Sequence, residues 1–285
     1  MRKFYEMAGK TNKLSVFGGT GFIGSHFASM YDESVHLEDR EENNPTYDEL
    51  VYFISTTHNY NVLDDLHLDV ETNLTKLLNV LAECKERNCV FNFVSSWFVY
   101  GDTFLPAKEE SSCHPKGFYS ITKLCAEQLL VSFCETFKIK YRILRLGNVY
   151  GGEDNYSAKK NALQYLINEL RENRDIKLYH GGDVLRDFVH VEDVCRAIMY
   201  CVENSPVNQI INIGANVPPV PMKLIMKSAK TYMNSTSNMD SITPTEFHQI
   251  VQVKDMWLDS SKLAALGFEW NHHILSDIEE LCNYE

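Results

Sequence analysis

Tyr119 and Lys123, in "FYSITKLCAEQ", stand four residues apart, which places them on one face of a helix. A tyrosine ionises near pH 10, so to act as a base near neutrality its pKa must fall by roughly three units, about 4 kcal/mol. A neighbouring positive charge supplies that kind of field. The spacing alone is weak, because Tyr156 and Lys160 repeat it. What distinguishes Tyr119 is its company. Upstream, "FNFVSS" is an apolar strand ending in Ser95 and Ser96, and the carboxyl ends of parallel strands are where ligands bind. A serine hydroxyl there can hydrogen-bond a substrate hydroxyl or carbonyl. Tyr156 has no such partner and reads as a surface residue. The plainer reading of Tyr119, a half-buried helix tyrosine, loses ground to a second motif near the start of the chain.

That motif is "SVFGGTGFIG", which holds four of the chain's 14 glycines. Gly18, Gly21 and Gly24 follow a strand and open a helix, the context in which such spacing cradles a pyrophosphate. A tight turn, close backbone approach and close helix–strand packing each need a residue without a side chain. The helix N-terminus adds free N–H groups and partial positive charge. The alternative is a glycine-rich turn without a ligand. The cofactor set read from these stretches is Gly18, Thr20, Gly21, Phe22, Ile23 and Gly24, with Ser55 and Thr56 ending the strand "ELVYFIS", and Tyr119 and Lys123. Glu38 and Asp39 lie 20 and 21 residues beyond Gly18. An acid at that strand end accepts from the adenosine ribose and favours NAD over NADP. Arg40 could pair with a 2′-phosphate instead, so NADP stays open.

Stepping out from these residues, strands alternate with helices: "KLSVFGG", "FIGSHFASMY", "SVHLED", "ELVYFIS", a Leu74/Leu77/Leu78/Leu81 stripe, "CVFNFVSS", a helix over 118–137 and "YRILRLGNVYG". This rhythm predicts an α/β fold, a Rossmann-type doubly wound parallel sheet with a smaller interleaved C-terminal lobe. The dinucleotide-binding part spans 11–150, with returning segments near 186–215, and 151–285 is mostly substrate-binding. Later elements are helices near 158–173 and 192–203 and strands in "IKLYHGG" and "QIINIG". Only about ten polar residues, "REENNPTYDE", separate the second and third strands. A βαβ crossover needs a dozen or more, so a helix is trimmed here.

The formal net charge of −12 argues against nucleic acid as a partner. No apolar run approaches the ~20 residues of a membrane span, and "MRKFYEMAGKTNK" lacks the apolar stretch of a secretory signal. Eight cysteines show no C-x-x-C pair, which fits reduced thiols and a cytoplasmic location. The ten histidines show no H-x-x-x-H spacing, so no metal is expected. His58, just beyond a strand's carboxyl end, is a candidate to line the site.

In order along the chain, "GGTGFIG", "SSWFVYG", "YSITK", "RLGNVYGG" and "RDFVHVEDV" resemble the extended short-chain dehydrogenase/reductase family, in its NAD-dependent sugar-nucleotide epimerase and dehydratase subgroup. The resemblance covers about residues 13–215. It implies a bound dinucleotide and a nucleotide-sugar substrate. It implies Tyr119 as catalytic acid/base, Lys123 as the residue that holds the nicotinamide ribose and tunes Tyr119, and Ser96 as the polarising hydroxyl. Asn148 would contact substrate, Trp97 would line its site, and Arg186 would face its pyrophosphate; an ion pair of Arg186 with Asp187 or Asp193 is the structural alternative. Dehydratases of this family carry Asp-Glu where this chain has Trp97 and Phe98, which disfavours dehydration. The cysteine of the 3,5-epimerising members is missing, as is the arginine before "D-x-S-K", where Lys254 is the nearest cation. What remains is hydride transfer at a sugar carbon: C4 epimerisation through a 4-keto intermediate, or single reduction of a 4-keto sugar nucleotide. A non-catalytic dinucleotide sensor on the same fold is the reading from another class. Apolar residues beyond one face of helices 70–86 and 118–137, together with the resemblance, predict a homodimer.

Overall fold

Strand β1 (Leu14–Phe17) is four consecutive buried residues, the pattern of a strand covered on both faces. In the computed structural model, which describes residues 13–152 and 161–283, it feeds α1 (Phe22–Met30) and β2 (Val35–Leu37), then β3 (Glu49–Tyr52). Next come α2 (Leu68–Val70), a π-turn over Glu71–Thr75, and α3 (Lys76–Cys84). β4 (Val90–Ser96), α4 (Gly117–Phe137) and β5 (Lys140–Leu146) follow. Beyond β6 (Asn148–Tyr150) lie α5 (Ala162–Arg171), β7 (Ile176–Tyr179), β8 (Leu185–Arg186), β9 (Phe188–His190), α6 (Val191–Asn204) and β10 (Gln209–Ile213). The chain ends in β11 (Val220–Pro221), α7 (Met222–Tyr232), β12 (Met239–Ile242), α8 (Glu246–Val251), α9 (Ser261–Ala265) and α10 (Ile278–Asn283).

Six strands form one sheet in the order β10-β5-β4-β3-β1-β2, and every pairing in it is parallel. The expected Rossmann-type sheet is therefore present. Leu14, Val16, Phe27, Val194 and Ile198 pack one face, beneath α1 and α6. Phe17, Leu50, Leu77, Leu81 and Leu130 pack the other, beneath α3 and α4. The chain leaves β1 toward β2 and returns on the opposite side to β3, so the sheet reverses its winding at β1. A crevice opens beyond the carboxyl ends at such a point. A separate cluster built from Leu163, Ile167, Leu178, Ile225, Met226 and Leu281 holds α5, α7 and α10 together beside that edge.

Two departures from regular alternation matter for the site. No helix or strand lies between β2 and β3. Hydrogen bonds hold that segment instead: Thr46 N–H to Glu38 (2.7 Å), Tyr47 N–H to Ser15 Oγ (2.8 Å) and Arg87 to Asp48 (2.8 Å). The leucine stripe is also not one straight helix. The π-turn interrupts it, and Leu78 is left exposed. Such a widened turn redirects a side chain; here it carries Asn73, whose amide reaches both Thr56 and Thr122 at 2.9 Å. The helix expected near 158–173 begins at Ala162; Tyr156 and Lys160 lie outside the described residues.

Candidate active site

The glycine turn is built to bring backbone close to something. Gly18 has φ +80°, and a Cβ there would stand 2.9 Å from Ile54 N. A Cβ on Gly24 would stand 2.3 Å from the Gly18 carbonyl oxygen, so only glycine lets α1 sit on the turn. Gly21 differs. The nearest atom to a Cβ there is 3.5 Å away, so the fold itself does not forbid a side chain. Gly21 caps α1 with no side-chain acceptor for the first-turn N–H groups, which are free to bind an anion. This cradle fits the pyrophosphate of a dinucleotide.

Gly18, Gly21, Phe22, Ile23 and Gly24 line one large cleft with Ser55, Thr56, His58, Ser96, Trp97, Tyr119, Lys123, Asn148 and Arg186. Its volume is about 1260 Å³, ample for two ligands of nucleotide size. Thr20, Glu38, Asp39 and Arg40 are not on its lining. Glu38 turns its carboxylate onto Thr46, accepting from both N–H and Oγ1. It holds the short segment after β2, and Asp39, just beyond it, is exposed.

Ser96 ends β4, and its Oγ accepts from Phe98 N–H at 3.3 Å. Tyr119 and Lys123 rise from the first turns of α4, whose start is pinned by Ser120 N–H donating to Asn59 Oδ1 (3.0 Å). Burial lifts the pKa of the Tyr119 phenol to about 12, against the opposing pull of the Ser96 and Ser55 hydroxyls beside it. Lys123 is 2 % exposed. It donates to Val94 O at 2.8 Å and lies 4.1 Å from the centre of the Phe93 ring. Burial drops its pKa to about 7, against the opposing pull of Glu127. The predicted Ser–Tyr–Lys group is thus assembled on the cleft wall. Beside it, Phe98 meets the Tyr119 ring edge-on at 5.5 Å and stacks on Trp97 at 3.9 Å, so the two positions that follow Ser96 are aromatic and neither is an acid.

Across the cleft, Arg186 donates to the backbone carbonyls of Leu185, Val253 and Lys254 and lies 5.7 Å from the Trp97 ring. Burial lowers its pKa to about 10. It pairs with neither carboxylate named as its structural alternative. Asp187 accepts from Ala215 N–H (2.8 Å) and Leu258 N–H (3.0 Å), and Asp193 pairs with Arg196. Asn148 Nδ2 is buried on the cleft wall with no partner among the described residues. His58 accepts from Tyr60 N–H at 3.3 Å.

Several residues that shape the site were invisible to motif reading. Asp69, 1 % exposed, accepts from Thr56 Oγ1 (2.5 Å) and Asn61 (2.9 Å), and its charge acts on Tyr119. Glu127 and Arg145 pair beneath Ser95. Tyr60 reaches His248 on α8. Each partnership spans too much chain for spacing to reveal it. His190 and His272, likewise distant in sequence, stack at 3.7 Å near Glu192, Asp277 and Glu280. His190 Nδ1 accepts from Glu192 N–H, which puts its hydrogen on Nε2, toward Glu280 at 2.9 Å. That is hydrogen-bonding rather than metal-binding geometry.

Compared with known proteins, residues 48–214 match the NAD dependent epimerase/dehydratase family. A dTDP-glucose 4,6-dehydratase of Mycolicibacterium smegmatis is 24 % identical over 277 residues, covering 84 % of this chain and 83 % of that one. The UDP-glucose 4-epimerase of Thermotoga maritima, solved with UDP-glucose, superposes with a TM-score of 0.84 at 21 % identity, covering 95 % of this chain and 98 % of that one. The UDP-glucuronic acid 4-epimerase of Bacillus cereus, solved with UDP-glucuronic acid and NAD, does so with a TM-score of 0.84 at 20 % identity, covering 95 % and 98 %.

Proposed function

Because the chain belongs to the NAD dependent epimerase/dehydratase family, we propose that it transfers hydride at C4 of a nucleotide-linked sugar and epimerises that carbon through a 4-keto intermediate, with NAD as cofactor. The observation that carries the reading is Ser96, Tyr119 and Lys123 meeting on one cleft wall with Trp97 and Phe98 where a dehydrating enzyme needs acids. Bound along the glycine turn, the dinucleotide would supply the hydride acceptor and later the donor. Ser96 holds the C4 oxygen. Tyr119 takes the hydroxyl proton as hydride leaves C4 and returns it when hydride arrives on the other face. Lys123 supplies the positive charge that lets Tyr119 give up its own proton. Arg186 and Asn148 bind the substrate's phosphates and sugar, with His58 and Trp97 lining the same cleft. Reduction of a 4-keto sugar nucleotide is the second reading, since the same Ser96, Tyr119 and Lys123 on the cleft wall serve a single hydride delivery with Tyr119 as proton donor.

The test starts with the purified protein denatured and its released small molecules weighed. Stoichiometric NAD or NADH, with inversion of UDP-glucose, UDP-glucuronic acid or a dTDP-sugar at C4, is the expected result. An empty protein that binds NADPH and consumes it once per 4-keto sugar favours the reductase. No binding of any dinucleotide overturns both.

We also propose a homodimer joined through α3 and α4. Leu78, Phe118, Ile121 and Leu129 are 39–44 % exposed on these helices, an apolar face that water solvates poorly. Light scattering is expected to give twice 32.8 kDa at micromolar concentration, and a single-chain mass would refute it. No described helix is long and apolar enough to cross a membrane.

A further inference from the structure

Two neighbouring residues in the loop after β3 reach into α8. Asn59 Nδ2 donates to Val251 O at 2.9 Å, while its carbonyl grips Ser120 at the start of α4. Tyr60 places its hydroxyl 2.5 Å from Nδ1 of His248. His248 lies against the Tyr179 ring at 4.4 Å and lines the cleft. The direction of the Tyr60 bond follows from the partners within reach. Burial pushes Tyr60 up to about 12, so the phenol keeps its hydrogen, and Nδ1 of His248 is the one acceptor that hydroxyl meets among the described residues; the phenol donates and Nδ1 accepts. Burial, with Arg186 and His180 nearby, holds His248 down at about 4, so the ring is neutral. A neutral imidazole that accepts at Nδ1 carries its hydrogen on Nε2. That nitrogen has no hydrogen-bond partner among the described residues.

Arg186 is close enough to act on His248 by charge. Its guanidinium spends its contacts on backbone carbonyls and has no carboxylate within salt-bridge distance among the described residues. A guanidinium and an imidazole N–H on one cleft wall form a set of donors without an acceptor. Phosphate oxygens, which only accept, match such a set better than sugar hydroxyls, which also donate.

We propose that His248 is a binding residue for the substrate's diphosphate, donating its Nε2 hydrogen to a phosphate oxygen beside Arg186, and that Tyr60 is the positioning residue that fixes its tautomer. This deepens the nucleotide-sugar reading and rests on it. Neither residue belongs to any motif that carried the family resemblance.

The experiment is calorimetric titration of the dinucleotide-loaded protein with UDP, dTDP, GDP and ADP. The tightest-binding of these is then titrated into His248→Phe, His248→Gln, Tyr60→Phe and the double variant Tyr60→Phe/His248→Phe. Losing a hydrogen bond to a charged group weakens binding about 10-fold or more, so His248→Phe is expected to lose about that factor. His248→Gln, whose amide can donate, is expected to recover most of it. Tyr60→Phe is expected to weaken binding in the native background and to add nothing once His248 is gone. Dinucleotide affinity should stay unchanged throughout. Unaltered diphosphate affinity in His248→Phe overturns the proposal, as do independent, additive losses from the two positions. Failure of the unsubstituted protein to bind any of the four diphosphates would instead sink the nucleotide-sugar reading beneath it.

Discussion

Replacing Tyr119 by Phe is expected to lower turnover on the order of 10³-fold while leaving dinucleotide binding in place. The substitution removes one oxygen and keeps the ring, so the edge-on contact with Phe98 at 5.5 Å survives. The residue is only 7 % exposed, and all that is lost is the hydroxyl and its polar interaction with the neighbouring Ser96 and Ser55. Such a loss costs about 1 kcal/mol of stability, too little to unfold a chain of this size. Turnover has no such margin. Among the described residues, no other phenol shares the wall with Ser96 and Lys123, and Trp97 and Phe98 cannot exchange a proton. The check is a single-turnover measurement beside a dinucleotide titration. Unchanged turnover would mean that the chemistry lies elsewhere, and unchanged binding with no turnover in the native protein would favour a sensor.

The parts of the site that could be read from sequence are those made by local pattern. The glycine turn is seven residues whose geometry depends on one another. Ser96 is marked by where its strand stops, and Tyr119 and Lys123 by one helical turn. The trimmed crossover was legible from length alone, since about ten residues cannot hold a loop, a helix and another loop. What escaped was orientation and long-range pairing. Glu38 sits where a ribose acceptor is expected, yet its carboxylate turns to Thr46, eight residues along; spacing gives a position and no side-chain direction. The leucine stripe from Leu74 to Leu81 suggested a regular helix, but its first residue falls in the π-turn Glu71–Thr75, which carries Asn73 to Thr56 and Thr122. Tyr60 and His248 are separated by 188 positions, and nothing in either neighbourhood announces the other.

Glu127→Leu is expected to destabilise the protein by about 3–5 kcal/mol, because it leaves the Arg145 guanidinium buried and unpaired. The pair is bidentate, with Nη2 to Oε2 at 2.6 Å and Nε to Oε1 at 3.1 Å, and both side chains are 4 % exposed. Arg145 also lies 4.6 Å from the Tyr100 ring centre, and Glu127 accepts from Ser95 at 2.5 Å. At about 2–4 °C per kcal/mol, the melting temperature should fall on the order of 10 °C. The double variant Glu127→Leu/Arg145→Met removes both charges along with their desolvation cost, so it should regain much of that stability. Turnover should not recover with it. Glu127 is the charge that holds the Lys123 pKa up against burial. Without that carboxylate the pKa falls further below its present value near 7, and more Lys123 loses its proton at any given pH. The positive charge beside Tyr119 then fades as pH rises, so the deficit in kcat/KM should be larger at pH 8 than at pH 6. Calorimetric melting and a pH profile of the two variants separate these effects. Equal melting temperatures for the single and double variants would show that the pair does not behave as a buried couple. Full activity in the double variant at pH 8 would show that Lys123 does not depend on Glu127 for its charge.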